Sequence, residues 1–287
     1  MRRYRHRNRG HFSWTPALVI QAERAKQELG DKAKERLMQH STVPLYLDWS
    51  FWAVFVAGVA VVLSQLPPIH QLLRPAKLAM ELYSRVQVTQ KIGNPNVGVH
   101  VILINTGGRS IRIKGFTLKL WRDGRDLAFL PAQYYLQTPN DKSTVVLTSF
   151  SLKPTEEWAH FVTFLNYFSL TDEKKYKAAE LALKNDINAK RKLPENKDRI
   201  VEADSHNVRP FNEMFEEKFI WDPGEYEFEI SVELPGNKTG VTQKHRFTLF
   251  ESHSSELSAA REDFKIGDGV YYYSGNHTGV WVQIIEA

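Results

Sequence analysis

The chain has 287 residues, of which 42% are apolar and 25% are charged, and its formal net charge is +5. This composition fits one sizeable folded domain with appendages and argues against a disordered or fibrous chain. Because the sequence contains no cysteine, disulfides, thiolate metal sites and a thiol nucleophile are excluded.

A basic segment opens the chain, and we predict that residues 1–44 form a cytoplasmic tail. Arginines that precede an apolar segment keep their side of the membrane in the cytoplasm and pair with anionic lipid head groups. Nucleic-acid binding by the same residues is the lesser alternative. The tail continues into an amphipathic helix that begins after Thr15, lying on the inner leaflet, pairing with another chain or simply solvated. The predicted topogenic residues are Arg2, Arg3, Arg5, Arg7 and Arg9.

Residues 49–66 are an uninterrupted apolar run whose helical length would be ~27 Å, enough to cross a hydrocarbon core. The run is preceded by a long basic tail and followed by Pro67 and Pro68, so we predict an uncleaved signal anchor rather than a signal peptide. The predicted transmembrane helix covers residues 45–67. It places the amino terminus in the cytoplasm of a bacterial inner membrane and the remainder in the periplasm or another extracytoplasmic space. A buried helix of a soluble protein is the alternative.

Small residues recur along this helix at intervals of three and four, which places them on one face. Close approach of two backbones along such a stripe is how membrane helices associate. We therefore predict self-association or pairing with a partner helix, in addition to contact with membrane lipid, although alanine-rich membrane helices are common in any case. The stripe consists of Ser50, Ala53, Ala57, Ala60 and Ser64.

After a linker at residues 68–80, the apolar pattern changes from helical to alternating, which predicts β-strands. Thr171 is the predicted cap of a helix over 172–193, and residues 169–217 read as an insertion. The fold class is therefore mainly β, with an antiparallel sandwich over residues 81–287 that carries a helical insertion; one sheet closed on itself is the alternative. The predicted strands are 82–89, 97–105, 110–121, 143–152, 158–168, 218–221, 226–234, 243–250, 270–273 and 280–285.

Two turns carry a resemblance to a known class of proteins. Residues 105–111 read Asn-Thr-Gly-Gly-Arg-Ser-Ile, and residues 222–228 read Asp-Pro-Gly-Glu-Tyr-Glu-Phe. Both are similar to turns of bacterial single-pass membrane proteins with an immunoglobulin-like extracytoplasmic β-sandwich. The resemblance implies an immunoglobulin-like fold and no particular activity. The insertion and the absence of cysteine depart from the pattern.

Residues that could carry chemistry form no recognisable motif. The ten histidines never fall at a metal-binding spacing, and Gly107 and Gly108 lack the lysine of a phosphate-binding loop. His253 stands between serines, yet no nucleophile elbow surrounds it, so we predict a polar loop there. We expect no enzyme activity, no cofactor, no metal and no small-molecule substrate.

The densest aromatic cluster lies near the carboxyl terminus. Alternation along a strand would place Tyr271 and Tyr273 on one face, close to Trp281. Exposed tyrosine and tryptophan favour protein contacts, so these three residues are the predicted partner surface, with core packing as the alternative. The predicted function is a structural, scaffolding or sensing component of a membrane complex. An envelope enzyme or a carbohydrate-binding module is the alternative, which a deep pocket with clustered carboxylates would favour and a flat aromatic patch would oppose.

Overall fold

The computed structural model describes residues 23–24, 26–32, 34, 49–65, 74–138, 143–197, 199–274 and 279–287. The chain forms two compact units, residues 1–67 and residues 68–287. The predicted topogenic residues Arg2, Arg3, Arg5, Arg7 and Arg9 lie outside the described residues, as do residues 68–73 of the predicted linker.

The first unit contains helical structure. Residues 23–24, 26–32 and 34 are helical and exposed. Helix α1 spans Trp49–Gln65, 17 residues without an acidic residue in its first turn or a basic one in its last. Among the described residues, no helix combines the length and the apolar character that crossing a membrane requires. The transmembrane helix over residues 45–67 therefore stays a prediction.

The second unit is mainly β and antiparallel, as predicted. Strands form where apolar residues alternate: on β2, Val97, Val99 and Val101 are fully buried while the residues between them face outward. The strands are β1 (Leu78–Lys91), β2 (Asn94–Asn105), β3 (Ile111–Ile113), β4 (Gly115–Arg122), β5 (Arg125–Leu136), β6 (Val145–Val146), β7 (Phe150–Leu152), β8 (Glu157–Leu165), β9 (Gly224–Leu234), β10 (Lys238–Leu249), β11 (Val280–Gln283) and β12 (Ile285–Glu286).

Ten strands form one nearly closed sheet in the order β11-β1-β2-β8-β5-β4-β9-β10-β12, with β6 beside β5. The last residues of the chain join the two ends of this sheet, because β11 pairs with β1 and β12 pairs with β10. The Gln243 side chain adds a bond across the same gap, donating from Nε2 to the Met80 carbonyl at 2.5 Å. We call this junction of β1, β11, β12 and β10 the seam. Strands β3 and β7 form a separate two-stranded sheet.

Helices occupy the connection between β8 and β9, as the predicted insertion requires. They are α2 (Leu170–Arg191) and α3 (Ser205–Lys218), with a 3-10 turn at Pro194–Asn196 between them. Their apolar faces form a second core around Leu183, Ile187 and Phe211. The turn between β1 and β2 enters this core through Ile92, which is 1% exposed. The insertion is thus packed on the tip of the first hairpin.

The connection between α2 and α3 is held by one carboxylate. Asp186 accepts hydrogen bonds from the Asp204 backbone N–H at 2.6 Å, from Asn207 Nδ2 at 3.0 Å and from Lys190. Burial would raise the pKa of Asp186, but these hydrogen bonds outweigh burial and lower the pKa below its ordinary value. The contribution of Asp186 to stability is therefore present above the pKa of an unfolded aspartate and is lost as pH falls through the lowered folded pKa.

Replacement of this carboxylate tests the connection. We expect Asp186→Asn to lower the free energy of unfolding at pH 7 by about 2 kcal/mol, since a charged acceptor of three hydrogen bonds is lost. We also expect the variant to lose less further stability than the wild type between about pH 4 and pH 2. Urea unfolding at several pH values measures both effects, with the exposed Asp126→Asn as control. An unchanged pH dependence in Asp186→Asn would contradict the assignment.

Several local predictions are wrong. Ser169 rather than Thr171 caps α2, since its hydroxyl accepts from the Asp172 N–H at 3.1 Å. Residues 218–221 end helix α3 and continue as an irregular segment, not as a strand. The predicted polar loop around His253 is helix α4 (Glu251–Ala259), which is followed by a 3-10 helix at Ala260–Ile266. Residues 270–273 form a turn rather than a strand, because Gly267 and Gly269 adopt positive φ and reverse the chain.

Candidate functional site

The outer face of β11, β1, β2 and β8 carries an aromatic surface. Strand alternation turns Val86 and Val88 into the core, so the residue between them, Gln87, faces outward. Pairing places Gln87 beside Trp281 of β11 on one side and beside Gly98 of β2 on the other. Residues from three neighbouring strands therefore meet in one outward row.

Gly98 allows two aromatic rings to approach across this row. A Cβ atom at position 98 would lie 2.3 Å from Cζ of Phe161, so the Phe161 ring covers the space that a side chain would need. From there the ring of Phe161 reaches Trp281, with 5.8 Å between ring centroids and an interplanar angle of 47°. This distance lies within the range of favourable aromatic pairs. A ring that covers a strand glycine also stabilises the sheet locally.

The two rings form part of a shallow open cavity of about 540 Å³. Its two most exposed aromatic side chains are Trp281, at 48%, and Tyr83, at 54%. Among the described residues, no carboxylate lines this cavity, whereas His100 and His160 do. We call this surface the aromatic face; it consists of Tyr83, His100, Leu136, Ala159, Phe161 and Trp281.

The opposite half of the sheet has a charged outer face. Glu225, Glu227 and Glu229 alternate along β9 and face outward between the basic residues of β4 and β10. Lys244 Nζ lies 2.5 Å from Glu227 Oε2 and also 5.5 Å from the ring of Trp121. Lys244 and Glu227 thus form an ion pair on this half of the sheet. Unlike this charged half of the sheet, the aromatic face exposes apolar area, which is typical of a contact surface.

The structure places the predicted partner residues in two locations. Trp281 lines the cavity of the aromatic face, whereas Tyr271 and Tyr273 lie in the turn after Gly269 and do not line it. Tyr271 packs against the core of the insertion, and Lys184 Nζ lies 5.6 Å from its ring centroid. Burial raises the pKa of Tyr271. Tyr273 is 56% exposed on that separate surface.

Residues at the aromatic face that were not predicted from the sequence include Tyr83 and Phe161, which line its cavity, and Gly98, which the Phe161 ring covers. Phe161 was assigned to a buried strand because Val162 and Phe164, its neighbours on β8, are apolar as well. The sequence around Gly98 does not indicate that an aromatic ring covers this residue, since the ring belongs to a neighbouring strand. Tyr83 stands next to the irregular pairing between Leu82 and Val86, where simple alternation fails.

The predicted small-residue stripe lies on α1. Ser50, Ala53, Ala57, Ala60 and Ser64 are all exposed in the first unit, and the Ser64 hydroxyl donates to the Val61 carbonyl at 2.7 Å. Lipid or a second helix could contact every one of them.

No metal site is found within the described ranges, where no three side chains from histidine, cysteine, aspartate and glutamate converge. The chain matches no protein-family model, and comparison with curated proteins gives no significant match.

Proposed function

We propose that the chain is a membrane-anchored structural, scaffolding or sensing component that binds a protein partner through its aromatic face. The pair of Trp281, which is 48% exposed, and the partly buried Phe161 carries this proposal. Tryptophan and other aromatic residues are enriched among the residues that contribute most to protein binding, and a cavity without clustered carboxylates favours contact over catalysis. The immunoglobulin-like assignment of the domain remains an expectation from the two turns at residues 105–111 and 222–228.

The anchor in this proposal is α1 together with the apolar residues that flank it in the sequence, over residues 45–67. Support comes from the sequence, which has no charged residue from 49 to 65, and from the exposed side chains of Phe55 and Val62. Tryptophans at the start of α1 suit a membrane interface. In this proposal the basic tail is cytoplasmic and the β domain lies outside the bacterial inner membrane.

The anchor and its self-association are tested together. Full-length chain should stay in the membrane pellet after carbonate extraction, and deletion of residues 45–67 should move it to the supernatant. Ala57→Leu should weaken cross-linking of α1 to a second helix, because the larger side chain keeps the backbones apart. Val62→Leu, on the opposite side of α1, is the control. Carbonate-soluble full-length protein would contradict the anchor, and equal cross-linking in both variants would contradict the packing face.

Partner binding is tested at the rings of Trp281 and Phe161. We expect Trp281→Ser and Phe161→Ser each to weaken capture of the partner in mild detergent by about thirtyfold, corresponding to about 2 kcal/mol for a central contact residue. Phe129→Ser is the matched control, since Phe129 is 52% exposed but lies outside the aromatic face. Equal losses in all three variants, or no loss in Trp281→Ser, would contradict the proposal.

A further inference from the structure

A second cavity of about 540 Å³ lies at the seam, where the end of the chain passes between the two ends of the sheet. Two arginines border it from opposite sides. Arg85 of β1 is paired in register with Gln283 of β11, and Arg246 of β10 is paired with Ile285 of β12. The closure of the sheet thus brings together two cations that are far apart in the sequence. We call this space the seam cavity.

The charge of the seam cavity is positive. The guanidinium groups of Arg85 and Arg246 have no ion-pair or hydrogen-bond partner among the described residues. Ten ion pairs form elsewhere in the described part of the chain. Glu225 also lines the cavity, so two guanidinium groups face one carboxylate. The lining residues alone carry one net positive charge, and Glu227 lies beside Arg246 as its register partner on β9. Guanidinium groups bind carboxylate and phosphate through paired hydrogen bonds.

Helix α4 begins beside the same cavity, with Glu251 as the acidic residue of its first turn. Phe250 caps α4 and His253 lies in its first turn, and both line the seam cavity. The first backbone N–H groups of a helix have no partner within the helix and carry partial positive charge. The Phe250 N–H donates to His253 Nδ1 at 3.4 Å, so a neutral His253 ring carries its proton on Nε2.

Apolar surface adjoins these charges. Trp281 lines both the seam cavity and the aromatic face, and Phe250, which is 62% exposed, lies in the seam cavity as well. A ligand that reaches the arginines thus also meets exposed aromatic rings. An inorganic ion would contact the arginines alone, whereas an organic anion would contact both the arginines and the aromatic rings.

We propose that the seam cavity binds a small organic anion, a carboxylate or phosphate joined to an aromatic or other apolar group. Arg85 and Arg246 hold the anionic group from the two sides of the seam, and Trp281 and Phe250 contact the apolar group. Such a ligand would offset the net positive charge of the lining residues and stabilise the closed sheet by mass action. This inference goes beyond the proposed function and does not depend on it.

Phenyl phosphate is the probe. Calorimetric titration of the full-length chain in a non-ionic detergent measures its affinity, with inorganic phosphate in a parallel titration. We expect Arg85→Gln and Arg246→Gln each to weaken binding of phenyl phosphate by about tenfold, as for the loss of one charge-assisted hydrogen-bonding group. Arg125→Gln, an exposed strand arginine outside both cavities, should leave the affinity unchanged.

A second variant separates the two features of the site. Trp281→Leu should reduce the preference for phenyl phosphate over inorganic phosphate while inorganic phosphate binds as before. Equal affinity of the wild type for both probes would overturn the organic class of ligand. Equal affinity of wild type, Arg85→Gln and Arg246→Gln for phenyl phosphate would overturn the site itself. A urea-unfolding midpoint for each variant verifies that it is folded, so that a loss of binding is attributable to the site.

Discussion

Trp221→Ala should lower the free energy of unfolding by about 3–5 kcal/mol, the range for removing a fully buried large aromatic side chain. Trp221 is 0% exposed and packs beside Tyr226, with 5.7 Å between ring centroids. Its indole N–H also donates to the Thr89 carbonyl at 2.9 Å. The side chain thus connects the exit of the helical insertion to strand β1, and its loss leaves both a cavity and an unpaired carbonyl.

Urea unfolding followed by circular dichroism measures this effect on the full-length chain. Trp121→Ala is the matched control, because Trp121 is only partly buried on the outer face, where Lys244 Nζ lies 5.5 Å from its ring centroid. The control should lose far less stability than Trp221→Ala. Similar losses in the two variants would show that Trp221 does not join the insertion to the sheet as described.

Asn105→Ala should cost about 3 kcal/mol, because two buried hydrogen bonds and one partly buried hydrogen bond lose their partner at once. Asn105 is 0% exposed at the end of β2. Its Nδ2 donates to the Arg109 carbonyl at 2.9 Å and to the Leu152 carbonyl at 3.0 Å, while its Oδ1 accepts from the Gly107 N–H at 3.0 Å. One side chain therefore holds the turn at residues 105–110 against strand β7.

Asn94→Ala provides the comparison for this prediction. Asn94 also makes a side-chain hydrogen bond, from Nδ2 to the Asn166 carbonyl at 2.7 Å, but it is an exposed one. We expect its replacement to cost less than about 1 kcal/mol. If Asn105→Ala were no more destabilising than Asn94→Ala in urea unfolding, the buried network would not hold the turn.

The strands with strict alternation were predictable from the sequence. On β9, Tyr226, Phe228 and Ile230 are all fully buried and glutamates stand between them, so the local pattern determines which side faces the core. On β5 only Leu130 is buried and Pro131 follows it, and this strand was missed. When the inward residues of a strand are only half buried, apolar and polar residues do not alternate strictly along it. The sequence pattern then does not indicate a strand.

The long helix was predictable from the sequence, whereas the two shorter helices were not. The 22 residues of α2 carry several charged pairs four apart, and that helix was predicted. Helix α3 was missed although Val208, Phe211 and Phe215 follow helical spacing, because Pro210 stands inside it. Helix α4 buries only Leu257 and its serines resemble a loop. Tertiary packing rather than intrinsic propensity decides such short segments.

The candidate site was predictable only in part, for a reason of geometry. Trp281 stood out by its residue type and its place at a strand. Its neighbours Phe161 and Gly98 are brought to it by cross-strand register, which no local pattern contains. The seam also depends on register, since it joins the last residues of the chain to strands far earlier in the sequence. Tyr271 and Tyr273 are aromatic, as Trp281 is, but they lie on a different surface.

The central claim is that the aromatic face is where a protein partner binds. A photo-reactive benzoylphenylalanine placed at position 281 of the full-length chain, and irradiated in intact cells, tests this most directly. We expect a covalent adduct with a second protein from position 281 and none from position 229, which lies on the charged half of the same sheet. An adduct from position 229 together with no adduct from position 281 would contradict the account.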